Sequence, residues 1–292
     1  MASLREMFRL LRPHQWGKNI LVYLPVILGH AYADSGVWIA ATGGFIALSL
    51  VASALYVLND AVDVADDRTH PVKKHRPLAA GTVTIPTGLT VAAISGAAGA
   101  AVGWLAVGWQ ATALLGGYGA TTAAYSLRLK AVPLLDIFIL AGLYVFRVVF
   151  GGIITGIGIS NWLLAMSLFL FLSLAAAKRH VEMKSRAADP SSRRPYTVAD
   201  VPFLQTLGLG SGLVASALTA LYVSDTAARE VYASTTPLWA GVPLLLFWIC
   251  RVWLLTERGQ MNTDPLVFAY RDPVSYAIAV LLAGCFLLAG PL

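Results

Sequence analysis

The chain has 292 residues, 58% of them hydrophobic and only 12% charged, with a mean hydropathy of +0.70. That is too apolar for an ordinary soluble domain of this size, and it points to an all-α, polytopic membrane protein. The net charge of +6 is carried in short stretches beside apolar runs, which excludes a basic nucleic-acid-binding face, and Cys250 and Cys285 lie inside apolar runs without metal-ligand or redox spacing.

Residues 1–17, with Arg5, Arg9 and Arg12, are basic and amphipathic but lack the apolar core of a cleavable signal. They are expected to form an interfacial helix broken by Pro13 and Gly17. Apolar runs follow at 18–34, 37–58, 85–107, 109–126, 132–156, 161–177, 202–223, 236–256 and 273–290, predicting nine transmembrane helices. Lys and Arg gather on alternate loops, at Arg68 to Arg76, Arg128 and Lys130, Lys178 to Arg194, and Arg251 to Arg271. Cytoplasmic loops carry the excess of such residues, so the N-terminus is expected in the cytoplasm and the C-terminus outside.

The second run ends in Asn59-Asp60-Ala-Val-Asp63-Val-Ala-Asp66-Asp67, followed by Arg68, Lys73, Lys74 and Arg76. Were the helix to continue, Asp60, Asp63 and Asp67 would share one face over two turns. Three carboxylates so placed repel unless a cation lies among them, and Mg2+ takes one or two carboxylates together with water and phosphate oxygens. The local pattern is that of a Mg2+-diphosphate site at a membrane boundary, with the polar stretch 59–84 as a cap whose cations meet phosphate.

At the mouth of the first run, Arg12, Lys18 and Asn19 are phosphate-binding candidates, with snorkelling to the interface an equal alternative for Arg12. Tyr125 and Lys130 stand at the end of the fourth run on the same expected side. Asp136 and Arg147 lie inside the fifth run, where charges are rare and face a bundle interior or cavity. They are about 16 Å apart along a helix, at ~1.5 Å rise per residue, so each needs a partner elsewhere. The sixth run ends in Lys178-Arg179-His180-Val181-Glu182, whose helical spacing brings Lys178, Arg179 and Glu182 near one another. This second polar cluster is expected to form a further wall of the cavity begun by the first. The stretch 178–201 is expected as a second cap loop, in which Arg194 and Tyr196 are weaker candidates, and Asp264 and Arg271 in the last cytoplasmic loop are modest ones.

Together these residues resemble the UbiA-type intramembrane prenyltransferase superfamily. Asn59, Asp60, Asp63 and Asp67 match its Asn-Asp-x-x-Asp-x-x-x-Asp motif, Tyr125 and Lys130 its Tyr-x-x-x-x-Lys element, and the likeness runs over essentially the whole chain. The resemblance implies a single domain over 1–292, with its helices around a central cavity open to the cytoplasm and the membrane. It implies Mg2+ held by Asp60, Asp63 and Asp67, which would be the catalytic acids. Substrate would be bound by Lys18, Asn59, Arg68, Lys73, Arg76, Tyr125, Lys130, Asp136, Arg147, Lys178, Arg179, Glu182 and Arg194.

Members that use prenyl diphosphates carry a second Asp-x-x-x-Asp motif on the sixth span. Here that place holds two cations and a single acid, Lys178, Arg179 and Glu182. With Arg-Pro-x-Gln-Trp-x-Lys-Asn at 12–19 and His-Pro-x-Lys at 70–73, the chain looks like the decaprenyl-phosphate phosphoribosyltransferase branch. That branch moves 5-phosphoribose from phosphoribosyl diphosphate (PRPP) to a polyprenyl phosphate, toward arabinan precursors of the cell wall. The resemblance implies a bacterial inner membrane, PRPP and a polyprenyl phosphate lipid as partners, and a site facing the cytoplasm. The competing expectation is prenyl transfer from a prenyl diphosphate to an aromatic acceptor such as 4-hydroxybenzoate. Gly-rich spans permit a homo-oligomer without requiring one.

Overall fold

The structure, a computed structural model, describes residues 3–69, 72–186, 196–261 and 264–291. Every named element among them is helical. The first part of the chain holds α1 (Leu4–Leu11), α2 (Leu24–Leu28), α3 (Ser35–Val62), α4 (Val64–Thr69), α5 (Ile85–Val107) and α6 (Trp109–Leu127). Then come α7 (Leu135–Thr155), α8 (Asn161–Arg186), α9 (Val201–Ser224), α10 (Thr226–Arg229), α11 (Gly241–Glu257), α12 (Pro265–Ala269) and α13 (Pro273–Ala289). Two compact units emerge, Met1–Arg128 with Phe146–Gly158, and Leu129–Val145 with Ile159–Leu292.

Helix starts follow side-chain capping. The Ser3, Asp34 and Thr84 side chains accept backbone N–H groups at the starts of α1, α3 and α5, and Asp264 and Asp272 do the same for α12 and α13. Helix α1 stops where Arg12 takes a left-handed conformation (φ 52°) ahead of Pro13, so the expected interfacial helix ends short of residue 17. Among the described residues, six helices, those at Ser35–Val62, Ile85–Val107, Leu135–Thr155, Asn161–Lys184, Val198–Ser224 and Pro237–Glu257, are long and apolar enough to cross a membrane.

The apolar runs at 109–126 and 273–290 form helices α6 and α13, of 19 and 17 residues, which are not among those six. The first expected crossing, 18–34, is not one helix. It is divided into a 3₁₀ segment Pro13–Tyr23, the short α2 and a 3₁₀ turn Ala31–Ala33, because Pro25 supplies no backbone N–H, Gly29 closes α2 and His30 turns left-handed (φ 54°). The cap loop expected from 178 also starts later. Residues 178–186 continue α8, since Ala175-Ala-Ala-Lys-Arg-His-Val-Glu-Met-Lys contains no breaker and Arg179 pairs with Glu182 one turn on. A short 3₁₀ turn, Val198–Asp200, leads into α9, and residues 187–195 lie outside the described part.

Small residues allow close helix approach in each unit. In the first, α3 packs along α5, and a Cβ on Gly99 would stand 2.8 Å from the Ala47 carbonyl oxygen. Gly151 of α7 abuts the backbone of Val22, where a Cβ would stand 2.2 Å from the carbonyl oxygen. In the second, α8 packs on α9, and Gly208 faces the Trp253 ring. Gly117 of α6, by contrast, has nothing within 4 Å of a Cβ. Gly151→Ala is therefore expected to destabilise the fold by about 1–3 kcal/mol, whereas Gly117→Ala should be neutral or stabilising by up to ~1 kcal/mol; unfolding in detergent micelles measures both.

Candidate active site

Helix α3 carries its apolar run to Val62, and the chain bends at Asp63. Register is kept across the bend, with Asp63 N–H donating to the Asn59 carbonyl (2.9 Å) and Asp67 N–H to the Asp63 carbonyl (2.8 Å). Asp60 and Asp67, seven residues apart, consequently lie on one face, each 2% exposed. Carboxylates this deep require partners, and two arginines supply them.

Arg12 Nη2 lies 2.6 and 2.5 Å from the two oxygens of Asp60. Arg76 Nη1 donates to both acids, 3.1 Å from Asp60 Oδ1 and 2.6 Å from Asp67 Oδ2. The Arg12 guanidinium also lies over the Tyr56 ring, 5.6 Å from its centre. Lys73 Nζ is 4.0 Å from Asp67. Asp63 is half-buried and accepts from Asn59 Nδ2 at 3.0 Å. Arg68 points elsewhere, its Nε toward the Ala79 carbonyl (3.4 Å).

Among the described residues no three His, Cys, Asp or Glu side chains group as a metal site. What converges is a pair, Asp60 and Asp67, on one cationic nitrogen. The donor chemistry fits Mg2+, which needs only one or two carboxylates when water and phosphate oxygens complete its shell.

A second network lies in the other unit. Asp136, fully buried in α7, receives Arg179 Nε at 2.6 Å and the Tyr196 hydroxyl at 2.6 Å. Arg179, 1% exposed, also pairs with Glu182. Tyr196 in turn accepts the Leu134 N–H (2.8 Å), fixing a residue held at φ 64° just before α7. Burial, reinforced by the bond to Asp136, pushes the Tyr196 hydroxyl far above its ordinary pKa, so it remains a donor. Lys178 Nζ meets Asp264 Oδ2 at 3.0 Å, and Tyr144 donates to the same oxygen at 3.5 Å.

The long separation of Asp136 and Arg147 is resolved by other partners. Arg147 donates to Asn19 Oδ1 (2.9 Å) and the Tyr118 hydroxyl (3.1 Å), and Asn19 is braced on Ser49 (3.0 Å). Lys18 is 9% exposed; Tyr125 and Lys130 are half-buried at the end of α6 and in the turn after it. Arg194 lies outside the described residues. Sequence reasoning left Arg12 undecided and ranked Tyr196 and Asp264 low. The signal for Arg12 was its place directly before Pro13, which fixes where α1 must end.

Removing one member of a buried ion pair leaves a bare charge, at a cost of about 3–5 kcal/mol. Asp136→Ala is expected to lower stability by that amount, while Lys178→Ala, at a partly exposed pair, should lower it by no more than ~1 kcal/mol; chemical unfolding in micelles distinguishes them.

Comparison with known proteins gives a match to the UbiA prenyltransferase family over residues 22–272. The chain is 36% identical over 284 residues to the y4nM protein of Sinorhizobium fredii, covering 96% of this chain but 55% of that protein, so it spans about half of that relative's length. It is 30% identical to nodulation protein NoeC of Azorhizobium caulinodans (93% of this chain, 89% of that protein). It is 31% identical to the decaprenyl-phosphate phosphoribosyltransferase of Mycobacterium tuberculosis (92% and 89%). In fold it is similar to a UbiA homolog from Archaeoglobus fulgidus solved bound to DMAPP and Mg2+, with a TM-score of 0.71, 17% identity and coverage of 97% and 99% of the two chains. With six helices long and apolar enough to cross a bilayer, the chain is an integral membrane protein and a transferase of the UbiA prenyltransferase family.

Proposed function

We propose that this transferase moves 5-phosphoribose from PRPP to a polyprenyl phosphate such as decaprenyl phosphate, releasing diphosphate. The observation that carries this choice is the end of α8, where the cations Lys178 and Arg179 are each held by an acid: Asp264 for the first, Asp136 and Glu182 for the second. A prenyl-diphosphate user of this family would be expected to place a second acidic motif there for metal. The relative of the same length class named for decaprenyl-phosphate phosphoribosyl transfer supports the same reading.

In this reading Asp60 and Asp67 would hold Mg2+, with Asp63, held by Asn59 Nδ2, beside them as a supporting acid and not a third ligand. Mg2+ held there would supply positive charge against a leaving diphosphate. The phosphate donors are Arg76, Lys73 and Lys18 in the first unit and Lys130 and Lys178 in the second, through charge-assisted hydrogen bonds, while Arg68, turned to the Ala79 carbonyl, and Arg179, buried between Asp136 and Glu182, are structural. The bond from ribose C1 to diphosphate breaks as a lipid phosphate oxygen bonds to C1. That oxygen is already anionic, so no general base is needed. Asp136 and Tyr196 serve by holding Arg179, and Arg147 by holding Asn19 in the first unit. The site is proposed to face the cytoplasm of a bacterial inner membrane.

Purified protein with Mg2+, radiolabelled PRPP and a polyprenyl phosphate is expected to yield labelled lipid. A prenylated aromatic product from prenyl diphosphate and 4-hydroxybenzoate, with no labelled lipid, would reverse the assignment. Asp60→Ala and Asp63→Ala should each cut turnover at least about a hundredfold. Lys178→Ala should raise KM for PRPP by about tenfold or more, the loss of a charged hydrogen bond; steady-state kinetics read both, and an unchanged KM removes Lys178 from the binding surface.

A further inference from the structure

We propose that Arg76 is a resident counter-ion of Asp60 and Asp67 that a divalent cation displaces and that then binds the substrate's diphosphate. This rests on the metal role proposed above for those acids. The geometry is specific. Arg76 Nη1 lies 3.1 Å from Asp60 Oδ1 and 2.6 Å from Asp67 Oδ2. A cation bound by both acids, at about 2.0–2.1 Å from each oxygen for Mg2+, must occupy the space this nitrogen fills. The guanidinium and the metal are therefore alternatives.

Exposure gives the direction of exchange. The Asp60 and Asp67 side chains are 2–3% exposed, whereas those of Arg76 and Arg12 are 25% and 19% exposed. The arginines roof the acids, so an incoming ligand meets a guanidinium first. Of the two, Arg12 is the fixed one. It holds both oxygens of Asp60, rests on Tyr56, and sits at the left-handed end of α1. Arg76 has an extended backbone (φ −67°, ψ 144°) after a single 3₁₀ turn and reaches both acids through Nη1. A guanidinium offers five donors in a planar fork, and phosphate oxygens are its natural bidentate partners.

Charge balance then couples metal to diphosphate. The acids Asp60, Asp63 and Asp67 and the cations Arg12, Arg76 and Lys73 cancel, so a divalent ion arriving alone leaves the cluster with excess positive charge. Diphosphate arriving with it more than offsets that excess and receives the released Arg76. Metal alone should bind weakly, and metal with diphosphate cooperatively.

The test is Mn2+ binding to the purified full-length protein in detergent, followed by electron paramagnetic resonance, with and without inorganic diphosphate. Without diphosphate, Arg76→Gln should bind Mn2+ at least about tenfold tighter than wild type. Diphosphate should tighten Mn2+ binding in wild type by about tenfold and far less in the variant. Arg76→Lys keeps a cation but not the fork, and should keep weak binding of Mn2+ alone while losing the coupling. Mn2+ affinity in Arg76→Gln equal to or below wild type, with Asp60→Asn abolishing binding, overturns the exchange and leaves the metal site standing. Binding unchanged in Asp60→Asn overturns the metal site and the exchange together.

Discussion

Carboxylates buried where apolar helices end must be neutralised in place, and this need organises both polar clusters. Asp60, Asp67 and Asp136 are each 2% exposed or less, and each is met by a guanidinium at 2.5–2.6 Å. The desolvation of such acids is expensive, and it is recovered only when the partner's geometry is good and the remaining lone pairs are used. Arg76 across two acids and Tyr196 with Arg179 on one acid satisfy that condition in different ways. In the first case the cation is partly exposed and replaceable. In the second it is 1% exposed and locked.

That difference separates a cluster whose cation lies at the surface from one whose cation is buried among its acids. The first cluster balances to neutrality with its own side chains, so substrate charge can enter only by rearranging what is there. The second holds Arg179 between Asp136 and Glu182 and holds Lys178 on Asp264, so its cations are fixed in place by their acids. Both behaviours follow from where the acids lie on their helices.

Much of this was legible from residue order. The run Asn59 to Asp67 announced a charged helix end, and the depth of Asp136 and Arg147 announced that each required a partner. The identity of those partners was not legible, because Arg179, Tyr196, Asn19 and Tyr118 are 29 to 128 residues away in the chain. Hydrophobicity marked the first crossing as continuous, yet Pro25, Gly29 and His30 break it, since an apolar composition says nothing about missing backbone donors or left-handed turns. Conversely, the helical spacing of Lys178, Arg179 and Glu182 is legible in the sequence, and it is this helix, with its i,i+3 ion pair, that carries α8 to Arg186 through the start of the expected cap loop.

The central claim is that Asp60 and Asp67 share a divalent cation in place of Arg76. Anomalous diffraction or cryo-electron microscopy of the protein with Mn2+ and diphosphate tests it most directly. The account predicts a metal peak bridging the two carboxylates, with the Arg76 guanidinium withdrawn onto the diphosphate. A metal bound elsewhere, with Arg76 still joined to both acids, would contradict it.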